Sequence, residues 1–454
     1  MTVFPIPRIV HEFAKRFSDA NFSLYIVGGA VRDFLLNRLS TDYDFTTDAE
    51  PRQVMKLFRS VIPTGIQHGT VTVRFHGSSF EVTTFRTEEG YSDRRHPDEV
   101  HFVRSLAEDL KRRDFTINAL AADAITGNII DHHHGKEDLA QRIIRAIGDP
   151  HQRFSEDALR ILRGCRFAAQ LSFTIEAQTA QAMADLATQL QHISGERVRT
   201  ELMKILESPI PSQGLFALYS CGALEVILPE LTQGDQVTQK GAHQLDIMHH
   251  GIAACDAVPR HRPLVRLAAL LHDIGKVETK HIAADGEVTF HRHEFSSAKQ
   301  ARNILNRLRF SNEEKSTVIN LITYHMFHYT PDWSDGAVRR FIKRVGKDAL
   351  EDLFTLRLAD QMATDQQQHP QQIFELKKRI KQVLDESTAL SIKDLAINGN
   401  DLAAMGIPQG PTMGIILNQL LETVLDDPKQ NTVETLSTIA RNFYTIRIKE
   451  PQEH

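Results

Sequence analysis

The chain has 454 residues, too many for one hydrophobic core, and length alone predicts about three domains. Its 41% hydrophobic and 24% charged residues are ordinary for a globular protein, and no apolar run is long enough to span a bilayer. The net charge of −5 excludes a global positive field as the means of binding nucleic acid. The start, MTVFPIPRIVHEFAKRF, lacks the continuous apolar core of a signal peptide, so a cytoplasmic protein without a membrane partner is expected.

In chain order, the patterns predict a helix over 7–20, the strand SLYIVGG, a helix through VRDFLLN and the strand TDYDFTT. A helix opened by Asp48 and Pro51 follows, then the β-rich stretch TVTVRFHGSSFEVTTFR with a Gly-Ser-Ser turn. This is an α/β unit with a small mixed sheet. From Asp149 onward strand signals nearly vanish, and amphipathic helices run to the C-terminus with one β-like break near 286–290. Joints at 208–214, 232–243 and 385–391 predict four parts: 1–148, 149–232, 233–384 and 385–454. QQQHPQQ at 366–372 reads as a short polar loop or helix face. Cys165, Cys221 and Cys255 have no metal-ligand spacing and read as reduced structural thiols. The basic clusters Lys111–Arg113 and Arg142, Arg145, Arg153, Arg160, Arg163 and Arg166 suit phosphate binding and solvated helix faces equally.

Asp42 and Asp44 occupy alternate positions of a predicted strand and so project side by side. Like charges are held together mainly where a cation sits between them, and hard oxygen ligands favour Mg²⁺. A metal-assisted phosphate reaction is predicted. The turn Gly28-Gly29, joining strand to helix, exposes backbone N–H groups suited to a triphosphate, and Arg32 follows one helical turn later.

Together, GGxxRDxxL followed by DxD resembles the nucleotidyltransferase superfamily that includes DNA polymerase β. Within it, the chain resembles the bacterial class II CCA-adding tRNA nucleotidyltransferases and poly(A) polymerases. That resemblance implies a polymerase β-like α/β nucleotidyltransferase head over 1–148, a helical neck over 149–232, and mostly α-helical domains beyond. KRRDFTINALA at 111–121 resembles the family's ribose-recognition motif, which assigns Arg112, Arg113, Asp114 and Asn118 to the incoming nucleotide. DHHHGKEDL at 131–139 resembles a further motif but carries His132, His133 and His134 in its turn. A solvated turn is preferred there over a metal site, and no function is assigned.

SEDALRILRGCRF at 155–167 is the most informative segment. Ser155 or Glu156 is expected to open a helix, with Glu156, Asp157 and Arg160 on one face. Cytosine and adenine both offer an amino donor beside a ring-nitrogen acceptor, whereas uracil and guanine reverse that order. A carboxylate beside a guanidinium therefore fits the first pair, the competing reading being a surface ion pair of little consequence. The resemblance gives Glu-Asp-x-x-Arg this selecting role toward CTP and ATP, with Arg163 also in the nucleotide site. GERVRTELMKIL at 195–206 resembles the next motif, and Arg197, Glu201 and Lys204 read as helix-stabilising. RTEEGYSDRRHPDEVHFV at 86–103 matches a flexible loop of CCA-adding and A-adding relatives that CC-adding relatives lack. The missing basic stretch of poly(A) polymerases favours tRNA as substrate.

RLAALLHDIGKVETK sets His272-Asp273 at the end of an apolar helix. With His250, Lys276 and Asp360 it resembles the HD-type metal-dependent phosphohydrolases, and His293 and His325 are candidates for a second ion. Imidazole and carboxylate ligands suit a divalent transition metal; the alternative is a degenerate scaffold. The tail at 397–425 resembles that of HD-containing bacterial members. Gly406, Gly410 and Gly414 are expected to punctuate short helices, as RNA-phosphate contacts or as ordinary helix ends.

The resemblance thus implies a template-independent CTP(ATP):tRNA nucleotidyltransferase acting on the tRNA 3′ end, with Asp42 and Asp44 holding Mg²⁺. Glu81 is either a third carboxylate near the metals or an exposed strand residue. The competing readings are A-only addition, and an HD phosphohydrolase with a nucleotide-binding head.

Overall fold

The continuous apolar run LYIV, buried almost throughout, and the alternating burial of SSFEVTT build the first layer of the molecule. The computed structural model describes residues 2–40, 42–89, 99–238, 245–364, 370–385 and 389–445; the predicted loop's 90–98 and part of QQQHPQQ lie outside them. The chain divides into two compact units, Met1–Asp235 with Ile304–Phe310, and Gln236–Asn303 with Ser311–His454.

The first unit opens with α1 (Arg8–Ser18), β1 (Leu24–Val27), α2 (Gly29–Leu35), β2 (Asp44–Thr47) and α3 (Pro51–Leu57). Strands β3 (Val61–Gly65), β4 (Thr70–Phe75), β5 (Ser78–Thr84), β6 (Arg86–Glu89) and β7 (Glu99–Phe102) follow, then α4 (Leu106–Lys111), β8 (Leu120–Asp123) and β9 (Ile129–Asp131). A seven-stranded sheet runs β3-β4-β5-β2-β1-β8-β9, with β2 and β5 parallel and the other neighbours antiparallel. One face packs on α1 through Phe13, whose ring centroid lies 5.3 Å from Phe45 and 4.8 Å from Phe80. Phe13 is fully buried, which is worth about 1.5–3 kcal/mol by apolar transfer.

Local chemistry departs from the sequence reading at several points. Helix α3 is capped by Glu50, which forms a reciprocal box with Gln53; Asp48 instead accepts from the Ser23 backbone N–H at 2.8 Å. The β4–β5 turn is His76-Gly77, both at positive φ (47° and 84°), the two-residue geometry that matches strand twist, so Ser78 and Ser79 belong to the strand. Strand β3 is unforeseen: it is an edge strand containing Pro63 and largely exposed, so it carries no apolar alternation.

After α5 (Gly135–Gln141) and β10 (Ile143–Ile144) come α6 (Pro150–Glu156), α7 (Leu159–Leu171), β11 (Thr174–Ile175) and α8 (Ala177–Leu186). The unit continues with α9 (Gly195–Leu206), α10 (Pro211–Ser220), α11 (Ala223–Ile227) and α12 (Pro229–Thr232). The expected helix start at Ser155 or Glu156 is corrected. Asp149 caps α6 with Pro150 in its first turn, the helix ends at Glu156, and Asp157 is extended (φ −148°, ψ 104°) before α7 begins. Glu156 and Asp157 thus flank a break and do not share a helix face.

The second unit contains α13 (Ile247–Ala257), α14 (Pro263–Leu271), α15 (Lys276–Thr279), a two-stranded ribbon at 281–289, and α16 (His293–Arg307), whose last residues group with the first unit. Helices α17 (Asn312–Tyr324), α18 (Asp335–Val345), α19 (Leu350–Met362) and α20 (Pro370–Asp385) follow. The chain closes with α21 (Gly399–Ala404), α22 (Pro411–Asp426) and α23 (Val433–Phe443) around Leu402, Ile416, Leu420, Val424 and Leu436. Gly406 and Gly410 lie between helices as expected, but Gly414 sits inside α22. Cys165, Cys221 and Cys255 are buried free thiols. Among the described residues no helix is long and apolar enough to cross a membrane.

Candidate active site and a second cluster of metal-ligating residues

Register brings the acidic and glycine-rich elements to one sheet end. Val27 pairs with Asp44 across β1–β2, and Asp44 pairs with Glu81 across β2–β5. The turn after Val27 therefore lies beside the carboxylates. Gly28 has φ +72°, a left-handed backbone that favours glycine. Strand β2 begins only at Asp44, leaving Asp42 just ahead of the pleat.

A cavity of about 600 Å³ is lined by Gly28, Gly29, Arg32, Asp42, Asp44, Arg112, Arg113, Asp114, Asn118, Asp157, Arg160 and Arg163. These are the sequence-derived nucleotide residues apart from Glu156. The lining also includes Leu159, Arg166, Phe167, Gln170, Arg197 and Lys204. Arg197 and Lys204, read from sequence as purely helix-stabilising, both face the cavity; their spacing of seven on α9 was the available signal.

Burial, then the Asp42 charge, raises the Asp44 carboxyl above its ordinary range, and Arg113 only partly opposes this. Glu81 is exposed on β5, and partial burial together with the Asp44 and Asp42 charges raises it, so the exposed strand residue also stands in electrostatic contact with the pair. Carboxylates whose crowding favours protonation are the donor set that a divalent cation relieves, so Asp42 and Asp44 fit Mg²⁺, with Glu81 beside them.

Asp114 is buried, which alone would raise it. Arg163, Asn118 and the Phe115 N–H overturn that and hold it at about 2. Its acceptor positions are filled: Phe115 N (2.8 Å), Asn118 Nδ2 (3.2 Å) and Arg163 Nε and Nη2 (2.7 and 2.6 Å). Asp114 thereby holds Asn118 and Arg163 at the cavity wall. Asn118 Oδ1 in turn accepts from Arg32 at 2.8 Å. Behind them Asp109 binds Arg112 at 2.8 Å and Arg113 at 3.5 Å.

The α6–α7 break separates the two acidic residues. Glu156 does not line the cavity, because its carboxylate is taken by Arg160 (2.5 Å) and Arg153 (2.9 Å). Arg160 also donates to the Arg153 and Arg112 carbonyls, so Glu156 fixes the guanidinium from behind. Asp157 accepts from Leu159 N (3.0 Å) and Arg197 Nη2 (2.7 Å), leaving lone pairs toward the cavity. At the turn of 131–135, Asp131 accepts from the N–H groups of His133, Gly135 and Lys136, with His134 left-handed at φ 59°. Among the described residues His132, His133 and His134 join no cluster of metal-ligating groups.

The second unit carries a separate, buried cluster. His250 Nε2 lies 3.3 Å from His272 Nε2, 3.1 Å from Asp360 Oδ1 and 3.6 Å from Asp273 Oδ2. The other Asp273 oxygen lies 3.2 Å from His293 Nε2 and 3.8 Å from His325 Nε2. Nδ1 of His272, His293 and His325 is hydrogen-bonded to the carbonyls of Ala269, Phe290 and Ile322, which turns each Nε2 inward. Burial disfavours charge on His272, yet Asp273 and Asp360 lift it to about 10; burial and the His272 charge push His325 down to about 3. Lys276 and Arg357 hold Asp273 and Asp360 at 2.6 and 2.8 Å. Two ligand sets sharing Asp273 fit divalent cations of the borderline transition type.

Family models match in three stretches: a poly A polymerase head domain over 24–145, a probable RNA- and SrmB-binding site of polymerase A over 172–234, and a putative tRNA nucleotidyltransferase domain 2 over 289–440. A CCA-adding enzyme of Lactobacillus johnsonii is 52% identical over 205 residues, 45% of this chain and 51% of that one; the chain thus spans about half the length of this relative. A CCA-adding enzyme of Leuconostoc citreum is 35% identical over 430 residues, 94% of each chain. Among solved structures, the Bacillus stearothermophilus CCA-adding enzyme in complex with CTP superposes with a TM-score of 0.72 at 28% identity, covering 96% of this chain and 98% of that one.

Proposed function

We propose, on the premise that this chain belongs to the family of CCA-adding enzymes, that it is a template-independent nucleotidyltransferase building or repairing the 3′-terminal CCA of tRNA from CTP and ATP. The observation that carries this reading is one cavity lined both by the carboxylates Asp42 and Asp44 and by the base-complementary pair Asp157 and Arg160. The acceptor 3′-hydroxyl oxygen attacks the α-phosphorus, the bond from that phosphorus to the bridging β-oxygen breaks, and pyrophosphate leaves. Asp42 and Asp44, with Glu81, would hold Mg²⁺, which when bound supplies Lewis-acid stabilisation of the developing charge. The Gly28-Gly29 backbone and the guanidiniums of Arg32 and Arg113 cradle the triphosphate. Asp157 accepts the exocyclic amine of cytosine or adenine, and Arg160, braced by Glu156, donates to the ring nitrogen. Such an enzyme works where tRNA matures, in the cytoplasm.

Incubating a tRNA that lacks CCA with CTP alone, ATP alone, or both tests this directly. Addition of C, C and A in order is expected; growth by A only on a CC-ending acceptor supports A-only addition, and no incorporation rejects transfer.

A second reading concerns the second unit. We infer that His250, His272, Asp273 and Asp360 form an HD-type centre, with His293 and His325 completing a position for another ion, because these inward-facing nitrogens are buried around shared carboxylates. Its chemistry would be metal-dependent phosphoester hydrolysis, independent of transfer. Titration of purified, chelator-treated protein with Mn²⁺, Co²⁺ or Ni²⁺ followed by a phosphodiesterase assay tests it.

A further inference from the structure

Part of the cavity is used by none of the groups assigned to the incoming nucleotide. Arg160, Arg163, Phe167 and Gln170 recur at helical spacing on α7 and all line it, so the wall they form extends for about 15 Å. Base selection lies at the Arg160 end. The Gln170 end is anchored separately, by Arg38 Nη1 donating to the Gln170 carbonyl at 3.3 Å. Facing it, α9 contributes Lys204, seven residues beyond Arg197 and so on the same helix face.

The charges at this end are unevenly matched. Around the Phe167 ring sit three guanidiniums, Arg32, Arg163 and Arg166, at 5.3, 5.7 and 4.3 Å from its centroid. Arg32 and Arg163 have Asp33 and Asp114, and buried Arg166 takes Glu201 at 2.8 Å. Glu201 is thereby committed to Arg166, and Lys204 lies 3.9 Å from its other oxygen with 43% of the Lys204 side chain exposed. One acid, Glu201, thus answers two cations, Arg166 and Lys204, so this end of the cavity carries surplus positive charge suited to an anion. The triphosphate is accounted for at Gly28-Gly29. The other anion that the reaction must bring into the cavity is the backbone of the acceptor strand.

We propose that Gln170 and Lys204 form an acceptor subsite, in which the Lys204 ammonium and the Gln170 side-chain amide hold the phosphodiester adjoining the 3′-terminal nucleotide of the RNA. This rests on the transferase reading above and goes beyond it by assigning the acceptor strand its own residues. Lys204 is a positioning contact on one face of α9, and its exposure makes substitution compatible with folding.

The test uses the full chain and a CC-ending RNA hairpin. Hairpin affinity is measured by fluorescence anisotropy without nucleotide, and CTP affinity by equilibrium dialysis without RNA. Lys204→Gln should weaken hairpin binding about tenfold and lower the slope of log affinity against log salt by about 0.7, the loss of one single-strand phosphate contact. Lys204→Arg should restore most of the affinity, Gln170→Ala should weaken hairpin binding with the salt slope retained, and CTP affinity should hold in all three. Unchanged hairpin binding in Lys204→Gln, or an equal loss of CTP binding, overturns the subsite. Neither binding assay requires turnover, so failure of the transferase reading would appear separately, as normal incorporation by Asp44→Ala.

Discussion

Replacing Asp157 by Asn tests its proposed base-selecting charge separately from the fold. The Asn side-chain oxygen can still accept from Leu159 N, now bonded at 3.0 Å, so the entry to α7 is kept. The partner lost is Arg197, 2.7 Å from the other oxygen; this charge-assisted bond between half-buried groups is worth about 1.5–3 kcal/mol. Toward the cavity, an acceptor becomes an amide that can also donate, and the carbonyls of uracil and guanine then find a partner. One base-edge pair carries about 1–3 kcal/mol of discrimination, so selectivity for CTP and ATP over UTP and GTP should fall by roughly tenfold or more. The assay is kcat/KM for all four nucleotides on one acceptor, alongside thermal unfolding. Asp157→Ala should show the same loss of selectivity with a further drop in stability from the missing bond to Leu159 N. A lowered melting temperature with the selectivity ratio intact would refute the base-edge role and leave Asp157 a structural ion pair.

Asp42→Ala or Asp44→Ala should abolish incorporation while leaving tRNA binding within a few fold; near-normal transfer by either, measured with radiolabelled nucleotide, removes the metal assignment. The Asp114 carboxyl is held at about 2 against an ordinary 3.8, so its contribution of about 2 kcal/mol is full above pH 4 and disappears as pH falls through 2. The gap in unfolding free energy between wild type and Asp114→Asn should therefore narrow across that window, and a pH-independent gap in denaturant titrations would contradict the ionised, saturated carboxylate. Replacing His272 and Asp273 together by Ala should eliminate transition-metal binding in the second unit without reducing CMP or AMP incorporation; a folded double mutant that loses transfer would show the centres to be coupled.

Sequence by itself determined which groups carry charge or a lone pair and how they recur along the chain. The Gly-Gly turn, the Asp-x-Asp pair, the Arg-Arg-Asp run and the His-Asp dipeptide were legible because their chemistry depends on residue type at short spacing. So was the passage from mixed sheet to helices, since apolar period is local. Tertiary structure decided what each group has left to offer. Glu156 and Asp157 are adjacent, but a backbone break sends the first behind Arg160 and leaves the second at the cavity wall. Asp114 lines the cavity, and there its oxygens are shared among Phe115, Asn118 and Arg163. Lys204 looks like an ordinary helix cation until α7 faces it across the cavity. Edge strand β3 escaped notice because an exposed strand containing proline needs neither alternation nor a full hydrogen-bond ladder. The physical reason is common to these cases. Composition fixes a side chain's capacity to bind, but that capacity is divided among neighbours tens of residues away in sequence or one backbone dihedral away in space, and only folding makes the division.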